Sequence, residues 1–183
     1  MPDQRATREN PLEGPTSAGG MVLALPPMVR LIFRGRISTI GRVTSAFGVE
    51  PAMEACRAAV SGARAALWLG PDEWLLIAED GEPHLIFDSL EATLKPLAFS
   101  LVDVSHRQMG LRLEGPQAAA ILNAGCPLDL EARAFPIGMC TRTLLGKAEI
   151  VLWRTDATSF RIEVARSLAS YVWQFLEQAE RDL

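Results

Sequence analysis

The chain has little of what most specific chemistries require. Its 183 residues hold three cysteines, two histidines and one tyrosine. Cys56, Cys126 and Cys140 are odd in number and irregularly spaced, which argues against a disulfide framework. In a chain with no signal peptide they read as free thiols in a reducing, cytoplasmic setting. No apolar run reaches the roughly 18 to 20 residues that span a bilayer. Lys and Arg total 18 against 22 Asp and Glu, a net charge of -4, so the concentrated basic face that nucleic acid demands is missing. Neither G-x-G-x-x-G nor G-x-x-x-x-G-K-[ST] occurs, and the glycines are scattered, which removes the usual means of holding a nucleotide phosphate. What is present is ordinary globular composition, 49% hydrophobic and 22% charged, enough for a substantial core.

The chain is organised around Leu101 to Gly125, LVDVSHRQMGLRLEGPQAAAILNAG. Val102 and Val104 share one strand parity, whereas Met109, Leu111 and Leu113 share the other, so a single strand here needs a bulge or break at Ser105-His106-Arg107-Gln108. Gly115-Pro116 then opens a short helix that Gly125 closes.

Taken in order, residues 1–20 lack apolar periodicity and read as a flexible arm. Val29 to Val43 reads as one or two strands broken at Gly35 and Gly41, and Glu50 to Val60 as a short helix. Ala65 to Leu69 and Trp74 to Ala78 flank the turn Gly70-Pro71-Asp72-Glu73 and form a hairpin covered on both faces. Asp80-Gly81-Glu82-Pro83 starts a helix carrying Ile86, Leu90, Leu94 and Leu97. Cys140 to Trp153 reads as a long strand interrupted at Gly146. Phe160, Ile162 and Val164 alternate with Arg161 and Glu163, as in a strand with one wet face. Ser167 is placed to cap a final amphipathic helix.

Both halves thus run strand, helix, strand, strand, helix, with Trp68 set against Trp153. The expected fold is α+β: two pseudo-symmetric β-α-β-β-α half-domains, 21–98 and 99–183, each a sheet with helices on one face.

Chemistry is sparse. Asp103, Ser105 and His106 are the residue types of a hydrolase triad, but parity separates His106 from the other two and no G-x-S-x-G is present. They read instead as a hydrogen-bond cluster at the strand break. His84, His106, Cys126 and Cys140 show no metal-ligand spacing. Cys140 is either a thiolate held by Arg142 or a small buried strand residue, and the second role suits its strand position better. Trp68, Trp74, Trp153 and Trp173 read as core or interface anchors. The arginines of Arg30 to Arg42 suit an acidic partner. The candidate interface residues are Arg30, Arg34, Arg36, Ser105, His106, Arg107 and Gln108, with no catalytic, cofactor-binding or metal residue assigned.

The blocks ALWLGPDEWLLIA, LVDVSHRQMGLRLEGPQAAAILNAGCPLDL and FPIGMCTRTLLGKAEIVLWR resemble the gamma subunit family of heterotetrameric sarcosine oxidase, from about Ala65 to the C-terminus. The resemblance implies alpha, beta and delta partners that oxidatively demethylate sarcosine to glycine, with hydrogen peroxide and either formaldehyde or methylenetetrahydrofolate as further products. It places FAD, FMN, NAD and tetrahydrofolate on the larger subunits and zinc on the delta subunit. It also implies a fold similar to the folate-binding domain of the glycine-cleavage aminomethyltransferases. Those relatives hold the pterin with a buried carboxylate, and some follow a Gly-Cys signature with Gly-Gln-Glu. Here Gly138-Met139-Cys140-Thr141-Arg142-Thr143 has no acid before Glu149, so a non-catalytic, structural subunit is expected. The alternatives are a free-standing folate-binding or one-carbon transfer protein, and a homodimeric scaffold.

Overall fold

The computed structural model describes Leu12 and residues 16–79 and 82–183, so most of the 1–20 arm and the Asp80-Gly81 helix start lie outside the described residues. Within them are ten strands and four α-helices: β1 (Val22–Ala24), β2 (Val29–Gly35), α1 (Ile40–Phe47), β3 (Ala58–Ser61), β4 (Arg64–Gly70), β5 (Glu73–Ala78), α2 (Pro83–Leu94), β6 (Phe99–Asp103), β7 (Gln108–Glu114), α3 (Ala118–Asn123), β8 (Cys140–Leu145), β9 (Ala148–Asp156), β10 (Ser159–Ala165) and α4 (Ala169–Arg181).

They build two five-stranded antiparallel sheets of the same order. One runs β3-β4-β5-β2-β6 and the other β8-β9-β10-β7-β1. The sheets pack face to face through Met28, Ala65, Leu67, Leu75, Ile77, Val104, Cys140, Val151 and Trp153. The helices cover the outer faces: α1 and α2 close a core with Phe33, Trp74 and Leu90, and α3 and α4 close one with Leu113, Phe160 and Leu176. This four-layer arrangement explains why β4 and β5 are apolar on both sides.

The expected duplication is present with two further strands in each half, and the edge strands are exchanged. β1, which opens 21–98, pairs with β7 of the second half; β6, which opens 99–183, pairs with β2 of the first. The change of phase across 101–113 therefore marks a crossing between sheets, with the turn at 105–107 as the link. The register fixes equivalent positions. The Leu25 amide donates to the Gly110 carbonyl and the Val104 amide to the Arg30 carbonyl, each at 2.9 Å. Gly110 faces Glu163 as Arg30 faces Ile77. Even the irregular register is repeated, between Trp68 and Gly70 and again between Ser159 and Phe160. On this register Trp153 is equivalent to Leu67, and Trp68 to Arg154, so the expected Trp68–Trp153 match is off by one residue. A one-residue slip would reverse every side chain between the faces.

Other local expectations are revised. The second part of Val29 to Val43 enters helix α1, because Ile40, Val43 and Phe47 all bury one face and Gly41 is accommodated inside it. Glu50 to Val60 is not a helix: Cys56 has φ 60, outside the right-handed helical region, and β3 follows. Cys140 to Trp153 is a hairpin whose turn contains Gly146 at φ 58. Ser167 lies in a 3-10 turn, and α4 starts after it without a side-chain cap. Within the arm, Thr16 bridges Leu23, and the Ser17 hydroxyl accepts the Val22 amide at 3.0 Å.

Candidate functional site

The largest departure from the sequence reading lies between the sheets. Arg161 and Glu163, expected on a wet face, are buried there, because the sheet of the first half covers the face opposite Phe160, Ile162 and Val164. Arg30 from β2 is 1% exposed and Glu163 2%. Arg30 Nε donates to Glu163 Oε2 at 2.5 Å, and Arg161 Nε donates to Glu163 Oε1 at 2.8 Å. Arg161 Nη1 reaches Glu79 Oε1 at 3.2 Å. A Cβ at Gly110 would stand 2.9 Å from Arg30 Nη2 and 3.0 Å from Glu163 Oε1, so glycine leaves the space that the guanidinium fills. Burial alone would push the Glu163 carboxyl up, but the two flanking guanidiniums reverse this and hold it below its ordinary range.

This cluster absorbs part of the expected interface. Arg30 and Ser105 face inward: the Ser105 hydroxyl accepts the Arg30 amide at 2.9 Å and donates to the Arg30 carbonyl at 3.3 Å. The Asp103 carboxylate accepts the Ser105 amide at 2.8 Å, while His106 is exposed, so the three triad-type residues form a turn rather than a nucleophile and base. The outer residues of the candidate set remain on the surface. Arg34 and Arg36 are exposed, Arg34 pairing with Asp72 at 3.4 Å and Glu73 at 3.7 Å. Beside them Ile37 is 74% exposed, and Val102, the β6 neighbour of Ile32, is 49% exposed. Arg107 is exposed and Gln108 half-buried, with its Oε1 buried and unpartnered.

Cys126 and Cys140 are buried and Cys56 half-buried, all three as free thiols. Arg142 binds Glu73 rather than Cys140. The Cys140 thiol, pushed up to about 12 mainly by burial, donates to the Trp68 carbonyl at 3.6 Å. Trp74 stacks on Phe33 with ring centroids 5.7 Å apart and donates to the Ala52 carbonyl. Trp153 lies between the sheets beside a pocket of ≈ 60 Å³, also lined by Arg64, Glu79 and Arg161. Among the described residues no group of His, Cys, Asp and Glu is arranged to hold a metal, and no helix is long and apolar enough to cross a membrane.

Sequence reasoning missed Gly110, Glu79, Arg161 and Glu163. The one available signal was that Arg161 and Glu163, oppositely charged and two apart, share a strand face.

The duplicated two-sheet architecture defines the class. The aminomethyltransferase of the glycine cleavage system from Bartonella henselae has the same fold over 85% of this chain and 44% of that one, with a TM-score of 0.64 and 15% identity. Within that class, the family model for the sarcosine oxidase gamma subunit matches residues 38–182, and the chain belongs to that family. It is 40% identical over 120 residues to sarcosine oxidase subunit gamma of Corynebacterium sp. (strain U-96), covering 66% of this chain and 57% of the relative. It is 36% identical over 115 residues to the subunit of Corynebacterium sp. (strain P-1), covering 63% and 56%. The chain therefore spans little more than half the length of these curated relatives. A chain of the heterotetrameric sarcosine oxidase of Corynebacterium sp. U-96, solved with pyrrole 2-carboxylate, superposes over 88% of this chain and 83% of its own, with a TM-score of 0.81 and 32% identity.

Proposed function

We propose that this chain is a non-catalytic, structural subunit of a cytoplasmic, heterotetrameric sarcosine oxidase, with alpha, beta and delta partners. The complex oxidises the N-methyl group of sarcosine, giving glycine and hydrogen peroxide, with the one-carbon unit leaving as formaldehyde or as methylenetetrahydrofolate. FAD, FMN, NAD, tetrahydrofolate and zinc reside on the partners. The observation that carries this reading is the close superposition, at 32% identity, on a chain of such an oxidase. The distribution of charge supports the structural role: the buried Arg30, Arg161 and Glu163 are paired with one another, which orders a core rather than poising a reactive group.

The assembly surface is the outer arginine face. Arg34 and Arg36 flank the exposed Ile37, Val102 extends the apolar part across β6, and His106, Arg107 and Gln108 continue it through the turn between the sheets. Apolar anchors ringed by arginine are the composition of a protein interface, and a stable contact there buries at least about 1,000 Å² in total.

The test is the native mass and visible spectrum of the tagged chain recovered from its own cells. A large yellow complex that consumes oxygen with sarcosine is expected. A colourless species of one or two chains would overturn stable membership. The second reading, a free-standing folate-binding or one-carbon transfer protein, is favoured by the aminomethyltransferase fold, and saturable tetrahydrofolate binding by the isolated chain would establish it.

A further inference from the structure

The two halves of the molecule touch along one short ladder outside their own sheets. Arg57 bridges Met139 in antiparallel sense, the Ala58 amide donates to the Gly138 carbonyl at 2.8 Å, and the Cys140 amide donates to the Cys56 carbonyl at 2.9 Å. Continuing that register by one residue, from the turn that precedes Arg57, sets Cys56 opposite Cys140, the two joined by that single amide-to-carbonyl bond. Hydrogen-bonded antiparallel neighbours lie about 5.5 Å apart at Cα, inside the window of about 4.4 to 6.8 Å that a disulfide spans. Cys56 is the only non-glycine residue with positive φ among those described, so its backbone is held in an uncommon conformation at this contact. The two cysteines differ in access: Cys56 is partly exposed, whereas Cys140 is fully buried behind it.

We infer that Cys56 and Cys140 are a peroxide-oxidisable pair whose disulfide ties the two half-domains together. Cys56, the accessible member, attacks the peroxide: its sulfur is oxidised to Cys56–SOH as the O–O bond breaks and the other oxygen leaves as water or an alcohol. The Cys140 sulfur then displaces the hydroxyl from Cys56, which takes up the Cys140 proton and leaves as a second water, and the S–S bond forms. Electrostatic coupling between the two thiols supports their closeness, since charge on Cys56 contributes to raising the Cys140 pKa. A thiol so reluctant to ionise makes the second step the slow one, so the sulfenic acid persists long enough to be trapped.

Hydrogen peroxide added to the purified full chain tests the pair independently of any oxidase activity. After alkylation and tryptic digestion without reductant, the peptides 43–57 and 134–142, each with one cysteine, should appear joined. The link should vanish in Cys56→Ser and in Cys140→Ser and survive in Cys126→Ser. Dimedone should label Cys56 most strongly in Cys140→Ser, where the resolving thiol is gone. Over-oxidation of Cys56 with Cys140 still alkylatable after unfolding would overturn the proposal, as would Cys56 linking only to another molecule. The cross-link closes a long loop, so the oxidised chain should melt higher by about 5 °C, a shift absent in Cys56→Ser.

Discussion

The two halves share a topology and a register yet treat the space between the sheets differently. Where the first half presents Leu67, Leu75 and Ile77 to that space, the second presents Trp153, Arg161 and Glu163 at the equivalent positions. Where the second has Gly110, the first has Arg30, whose guanidinium lies over that glycine. The duplicated backbone is satisfied by either set, because antiparallel pairing depends on main-chain groups. The difference is one charged cluster at the junction of otherwise equivalent sheets, where Arg30 of β2 is joined to Glu163 of β10.

The strongest way to break the comparison is to remove the shared anion. Glu163→Gln leaves two buried guanidiniums facing each other, and denaturant unfolding should show a loss of about 3 to 5 kcal/mol. Converting the cluster to an apolar set like that of the first half, with Arg30→Met, Arg161→Leu and Glu163→Ile together, should restore most of that loss. If the triple variant were as unstable as the single one, unpaired charge would not be the cause.

Gly110→Ala probes the same junction by volume. Its Cβ would meet Arg30 Nη2 at 2.9 Å and Glu163 Oε1 at 3.0 Å, so a cost of about 1 to 3 kcal/mol is expected. Gly41→Ala, with nothing within 4 Å of its added Cβ and a helical backbone, should be neutral or stabilising.

The dependence on pH sharpens the assignment further. Because the folded Glu163 pKa lies below its unfolded value, its stabilisation is complete above the ordinary carboxylate range and is lost as pH falls through the lower folded pKa. Acid unfolding curves of the wild type should show this loss. In the Glu163→Gln variant that part of the acid limb should be flat.

The smallest effect on stability belongs to the outer arginines. Arg34→Glu with Arg36→Glu should change unfolding by less than about 0.5 kcal/mol. The same variant should lose co-purification with flavin-bearing partners. Intact assembly in this variant would remove the arginines from the proposed interface.

The hairpin of β4 and β5, helix α2, the short helix α3 and the duplication were legible because each depends on local pattern: turn residues, helical spacing and runs of apolar side chains. The family was legible in the three blocks that contain these elements. Helix α1 was hidden because Gly35 and Gly41 look alike in sequence, while only packing decides that one ends a strand and the other lies within a helix. The exposed Arg34 and Arg36 could be named from charge and the exposed Arg107 from the strand break; the inward course of Arg30 and Ser105 could not.

The sequence by itself determined that the chain is a duplicated α+β protein whose strands and helices bury their apolar faces, since periodicity is a local property of the backbone. The tertiary structure decided which sheet each edge strand joins and which polar residues lie inside. Alternation assigns Arg161 and Glu163 to one face of a strand, but whether that face meets water or a second sheet depends on a partner such as Arg30, 133 residues from Glu163 in the chain. A buried charge is tolerated only when such a partner is brought to it, and chain folding over long range brings this one.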